Sequence, residues 1–257
     1  MVDTPELGCI VTWVVTWVAW EDTLNTAGSR EAAGQHGGAD RRVPAAVLWD
    51  MDGTLVDTEP YWMECEFALA EKYGGTWSHE HGLAIVGGDL IDSATYIREH
   101  MGIDRTPRQI VEELLDGVVE LVQRRMPWRP GARELLAALR ELEVPCALVT
   151  MSWRRFVEPV VRALPDESFA ALVCGDEVTH GKPHPEAYLR AAELLGFPPG
   201  ETLAIEDSPT GTLSAESAGC QVLVVPSHVA VPPGERRVLL DSLVGLEPHD
   251  LARLHDR

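Results

Sequence analysis

Asp50 and Asp52 stand two residues apart, directly after the unbroken apolar run Ala45 to Trp49 and directly before Gly53. Such a run fits a strand buried on both faces of a parallel sheet. Open α/β sheets bind ligands just outside the carboxyl ends of their strands. Two acids at that point can serve a cation and a reacting group together, and a carboxylate can attack phosphorus to form an aspartyl-phosphate. Gly53 lets the backbone turn sharply after them. An Asp-x-Asp pair alone also fits a solvated acidic turn. The full Asp-x-Asp-Gly-Thr-Leu of residues 50–55, following an apolar strand, is far more specific.

Three further groups fall where strands are expected to end: Thr150 with Ser152, Lys182 in the segment HGKPHP, and Glu206 with Asp207. A parallel sheet brings such positions to one edge. Their chemistry is complementary. Carboxylates collect Mg²⁺, which prefers oxygen ligands and keeps several waters. A lysine supplies a compact positive charge for phosphate. Hydroxyls and helix-start amides bind phosphate oxygens. Taken singly, each has a plainer reading: Thr150 as a strand end, Ser152 as a helix cap, Lys182 as a solvated loop lysine, Glu206-Asp207-Ser208 as a capping cluster. Their joint order favours phosphoryl transfer, in which positioning and charge neutralisation supply most of the catalysis.

The elements that would position these residues alternate between strand and helix from residue 44 onward. Strands are expected at Ala45–Trp49, Pro145–Val149, Phe169–Cys174, Thr202–Ile205 and Val222–Val225, the last of them closing the core. Helices are expected at Arg133–Leu142, from Ser152 as N-cap to about Leu164, at His184–Leu195, and at Thr210–Ala218. This pattern predicts an α/β fold, a doubly wound, Rossmann-like parallel sheet. Residues 60–127 break the rhythm. Tyr61–Tyr73, Leu90–His100 and Pro107–Arg125 read as helices with no strand between them, a helical insertion that caps the strand ends. Residues 44–59 and 128–257 then form the core, and Pro127 and Pro130 mark the return to it.

Composition narrows the partners. Of 257 residues, 21 are Lys or Arg and 41 are Asp or Glu, so the formal charge is 21 − 41 = −20. An acidic chain repels nucleic acid and anionic membranes. A small phosphorylated metabolite could still enter through a local cation. Five scattered cysteines without a C-x-x-C fit a reducing cytoplasm. No stretch reaches the roughly 18 apolar residues of a membrane span. Residues 1–43 carry one short apolar run, Cys9–Trp20, preceded by Asp3 and Glu6 where a signal peptide needs positive charge. An edge strand or a loosely attached extension is expected there, with no assigned function. The nine histidines show no metal-ligand spacing, and His180 and His184 beside Lys182 are expected in an exposed loop. The oligomeric state is left open, and a monomer is compatible with the chain.

The segments VLWDMDGTLVDT, ALVTMS, GKPHPEAY and LAIEDSPTG resemble, in order, the four motifs of the haloacid dehalogenase superfamily. The likeness covers about residues 44–226, and the helical insertion is similar to the C1-capped subfamily that contains β-phosphoglucomutase and many sugar-phosphate phosphatases. It implies Asp50 as nucleophile and Asp52 as general acid and base. It implies Thr150, Ser152 and Lys182 as the groups that meet the phosphate. It implies Mg²⁺ held by Asp50, the main-chain carbonyl of Asp52 and Asp207, with Glu206 a ligand or a close partner. The expected activity is hydrolysis of a sugar or polyol phosphate. A β-phosphoglucomutase-type isomerase shares every core motif, and a non-catalytic phosphate-dependent module is a third reading. The isomerase pattern carries a histidine near the start of the insertion and an arginine in the cap, where Trp62 and Leu90 fall here.

Overall fold

The computed structural model describes residues 43–255, and the expectations for Cys9–Trp20 lie outside them. The first strand, β1 (Ala46–Trp49), is buried at every position. Its side chains alternate between two buried clusters. Val47 and Trp49 face one, and Leu48 faces the other. This is why the run carries no polar residue.

The chain then enters α1 (Glu59–Tyr73), α2 (His79–Ile85), α3 (Leu90–Met101) and α4 (Pro107–Arg124) before it returns to the sheet. Each start has a local cause. The Asp89 side chain accepts from the amides of Ile91 and Asp92 at α3. Thr106 and Gln109 form a reciprocal capping box at α4, with Pro107 in its first turn. The outgoing and returning segments pair, with an antiparallel bridge between Val56 and Trp128. The Asp57 amide donates to the Pro127 carbonyl at 2.7 Å.

Beyond them follow α5 (Ala132–Glu141), β2 (Cys146–Val149), α6 (Arg154–Arg162), β3 (Ala171–Val173), α7 (Glu186–Leu195), β4 (Thr202–Glu206), α8 (Pro209–Ala218), β5 (Gln221–Val224), β6 (Arg237–Leu239) and α9 (Pro248–His255). The described strands form one sheet in the order β3-β2-β1-β4-β5-β6, and every neighbouring pair is parallel. The fold is therefore α/β with a Rossmann-like parallel sheet. Helices α5 and α6 cover one face through Leu135, Leu139, Phe156 and Val160. Helix α7 covers the other through Tyr188, Ala191 and Ala192. The chain runs outward from β1 through β2 to β3, then restarts at β4 on the opposite side of β1. Strand order thus reverses between β1 and β4, and that switch point opens a crevice at the carboxyl ends of both strands. No described helix is long and apolar enough to cross a membrane.

Three expectations need correction. The strand predicted over 169–174 is shorter, because only Ala171–Val173 pair with β2. β5 is not the last strand, since β6 pairs beyond it. Ser152 does not cap α6. Trp153 occupies that position without a side-chain cap bond, and the Arg154 amide is satisfied by Asp176 Oδ1 at 2.9 Å.

Candidate active site

Four chain segments converge on the switch point. Asp50 follows β1, Thr150 follows β2, and Glu206 closes β4 with Asp207 after it. Lys182 arrives from the loop before α7. Asp50, Lys182, Glu206 and Asp207 are all buried, none more than 6% exposed. Lys182 is an interior cation, not the solvated loop lysine that it could have been when taken singly.

Lys182 is fully engaged. Its Nζ donates to Asp50 Oδ1 and Glu206 Oε1, both at 2.7 Å, and to the Val149 carbonyl at 3.0 Å. Those three bonds use its three hydrogens. Burial by itself would lower the Lys182 pKa, but the charges of Asp50 and Glu206 and its bonds to both hold it above the usual lysine value. Burial pushes Asp50 up to about 7, opposed by the Lys182 charge and reinforced by Glu206. Burial and the charge of Asp50 likewise raise Asp207 well above the ordinary carboxylate range.

Glu206 is saturated by protein donors. Oε1 takes Lys182 and the Tyr188 hydroxyl, the latter at 2.8 Å. Oε2 takes the amides of Asp207 and Ser208 and the Ser208 hydroxyl. Ser208 also caps α8, where its Oγ accepts from the Gly211 amide at 3.0 Å. A Cβ at Gly211 would overlap the Glu206 carboxylate, so this approach requires glycine. Gly53 has φ +87°, and a Cβ there would overlap the Asp207 carboxylate.

Asp52 lies in a nest of hydroxyls. Thr58 Oγ1 donates to its Oδ1 at 2.5 Å, while Ser152 Oγ and Thr150 Oγ1 donate to its Oδ2 at 2.8 and 3.2 Å. Thr150 and Ser152 are therefore at the site but engage Asp52 in this structure. Hydroxyls can rotate to donate or accept, so the nest can hold the carboxyl with or without a proton.

Asp50, Glu206 and Asp207 present ligand atoms that all lie within 4.8 Å of one another. Two observations test their fit to a cation. Asp50 Oδ2 is buried without a hydrogen-bond partner, and no described residue donates to the Asp207 carboxylate. Three buried carboxylates also face a single lysine. An oxygen-preferring divalent ion answers all of these features. His180 and His184 are exposed, as expected, but their loop brings them close to Glu186, a proximity that spacing did not show.

Sequence reasoning gave no role to Thr58 or Tyr188, although both stand inside the quoted segments VLWDMDGTLVDT and GKPHPEAY. It also passed over Glu59, Glu66 and Trp77 of the insertion. The crevice continues into the insertion, where Trp62, Glu59, Glu66, Leu90 and Ile97 line it.

Residues 44–219 match the description of haloacid dehalogenase-like hydrolases. Hexitol phosphatase B of Escherichia coli is 30% identical over 213 residues, covering 80% of this chain and 96% of that protein. A phosphorylated carbohydrates phosphatase of Thermotoga maritima is 31% identical over 177 residues, 68% of this chain and 82% of that protein. The crystal structure of CbbY from Rhodobacter sphaeroides in complex with phosphate superposes with a TM-score of 0.72 at 27% identity, covering 81% of this chain and all of that one.

Proposed function

The chain belongs to the haloacid dehalogenase-like hydrolase family, and from that premise we propose a Mg²⁺-dependent phosphatase that cleaves a small sugar or polyol phosphate through an aspartyl-phosphate on Asp50. The relatives support the substrate class, since hexitol phosphatase B and the phosphorylated carbohydrates phosphatase are so named. The observation that carries the mechanism is the state of Asp50. Lys182 fixes one of its oxygens, and the other is buried and unpartnered at the floor of the crevice that Asp50 lines.

Each neighbour then has a task. Lys182 orients Asp50 and supplies fixed positive charge toward an incoming phosphate. Glu206 and Tyr188 hold Lys182 in place. Because both Glu206 oxygens are already filled by protein donors, we assign Glu206 to this positioning role. Asp50, Asp207 and the main-chain carbonyl of Asp52 would hold Mg²⁺, which when bound neutralises phosphate and nucleophile charge so that the two can approach. Asp52 gives its proton to the leaving alcohol and takes one from the water that opens the acyl phosphate. Thr150, Ser152 and Thr58 steady Asp52, and the first two can turn their hydroxyls to a phosphoryl oxygen. The insertion closes over the reaction and excludes stray water.

Hydrolysis is favoured over isomerisation by the upper pocket. A mutase must grip a second phosphate, and among the described lining residues the only basic side chains are Lys182, committed in the core, and His228, paired with Asp57 at 2.8 Å. Phosphate release from a panel of sugar and polyol phosphates tests the proposal. Activity should need Mg²⁺, vanish in EDTA and return on adding Mg²⁺. Full activity in EDTA, or fast conversion of β-glucose 1-phosphate to glucose 6-phosphate with little free phosphate, would overturn it.

A further inference from the structure

Glu59 and Glu66 are seven residues apart on α1, two helical turns, which places them on one face of that helix. Both line the upper pocket. Glu66 is only 3% exposed. Its Oε2 accepts from the Trp77 indole N–H at 2.8 Å, while its Oε1 has no hydrogen-bond partner among the described residues. The Glu59 carboxyl has no such partner at all among them. A buried acceptor left open toward a cavity is costly unless a ligand fills it. The walls of the upper pocket are mostly apolar, with Trp62, Leu90, Ile97 and Leu114 among them, while Ser93 and His228 also line it.

The pocket is therefore divided by charge. Its floor at Asp50 holds the one buried lysine, and its roof holds two carboxyl groups, with His228 beside Glu59 already paired with Asp57. Building on the phosphatase reading above, we infer that Glu59 and Glu66 select the leaving group. They accept hydrogen bonds from the hydroxyls of an uncharged polyol and exclude any substrate with a second phosphate or a carboxylate at its far end. The Trp77 indole fixes the Glu66 carboxyl so that its open oxygen faces the leaving group. The acid–base character of the pair fits an uncharged guest. Burial pushes both Glu59 and Glu66 up to about 7, so near neutrality the pair can accept from one hydroxyl and donate to another. An anionic group set against them would lose its water and meet like charge between apolar walls.

The test compares kcat/KM of the full chain with Mg²⁺ on sorbitol 6-phosphate, 6-phosphogluconate, fructose 1,6-bisphosphate and glucosamine 6-phosphate. Sorbitol 6-phosphate should exceed both anionic substrates by about tenfold or more, mainly through KM. In Glu66→Gln the amide oxygen can still accept from Trp77, but the charge is gone. There the preference should fall by about threefold or more. Equal use of the anionic substrates by the wild-type chain overturns the inference, and this arm stands even where the variant does not fold. So does a preference for glucosamine 6-phosphate above sorbitol 6-phosphate, or a folded Glu66→Gln chain with the wild-type ratio. Failure to cleave any phosphate ester, p-nitrophenyl phosphate included, overturns the parent phosphatase reading and is told apart by that control.

Discussion

Lys182 carries the one positive charge among three buried carboxylates, and the fold depends on it as much as the chemistry does. Removing one member of a buried ionic network leaves uncompensated charge in the interior. Lys182→Ala should lower unfolding free energy by about 3–5 kcal/mol in urea titrations at neutral pH and abolish turnover. A variant of wild-type stability would show that the lysine is not the cluster's counter-charge. Asp50, Asp52, Lys182 and Asp207 were identifiable in the sequence because their residue types and order carry the chemistry. Thr58 and Tyr188 were not. A single hydroxyl has no periodic signature, and each acquires its role from proximity made by folding. The Ser152–Asp52 contact spans 100 residues of chain. Ser152 was expected at a helix cap, yet the half-buried Asp52 carboxylate is a better partner for its hydroxyl than an amide that Asp176 already satisfies.

The turn from β4 into α8 shows how local backbone chemistry sets the site. Glu206 ends the strand, Ser208 caps the helix, and Gly211 leaves room for the Glu206 carboxylate. Gly211→Ala should displace that carboxylate from Lys182 and cut kcat by about tenfold to a hundredfold, because small misplacements of positioning groups are costly. Steady-state kinetics beside a thermal melt will separate this from unfolding, and unchanged kcat would mean that Glu206 does not position Lys182. The inner strands were readable because burial on both faces leaves apolar runs, as in β1, β2 and the Leu203, Ala204 and Ile205 stretch of β4. Other elements gave too little signal. α2 has seven residues, too few for a helical period to show. β6 has three, half-exposed at the sheet edge, so no apolar run marks it. α9 has eight residues and begins in a polar stretch.

Across the molecule, acidic groups dominate both the surface and the pocket, and this couples stability to pH. The folded pKa values of Glu59 and Glu66, about 7, lie above the ordinary 4.5 of a glutamate. The native state therefore holds protons that the unfolded chain has released, so stability declines as pH rises from about 4.5 through about 7. For Glu66, which is 3% exposed, the loss is on the order of 3 kcal/mol. In metal-free protein the urea midpoint should be higher at pH 5 than at pH 8, and Glu66→Gln should narrow the gap. A gap of unchanged size would mean that Glu66 titrates normally. The central claim is covalent attachment of phosphate to Asp50, and chemical trapping reads it directly. Protein quenched during turnover of a sugar phosphate with Mg²⁺ is reduced with borohydride, which converts an acyl phosphate to an alcohol, and the modified peptide is located by mass spectrometry. The modification should fall on Asp50, require both substrate and Mg²⁺, and be absent from the Asp50→Asn chain. Modification at Asp52 or Asp207 instead, or none while phosphate is being released, would contradict the account.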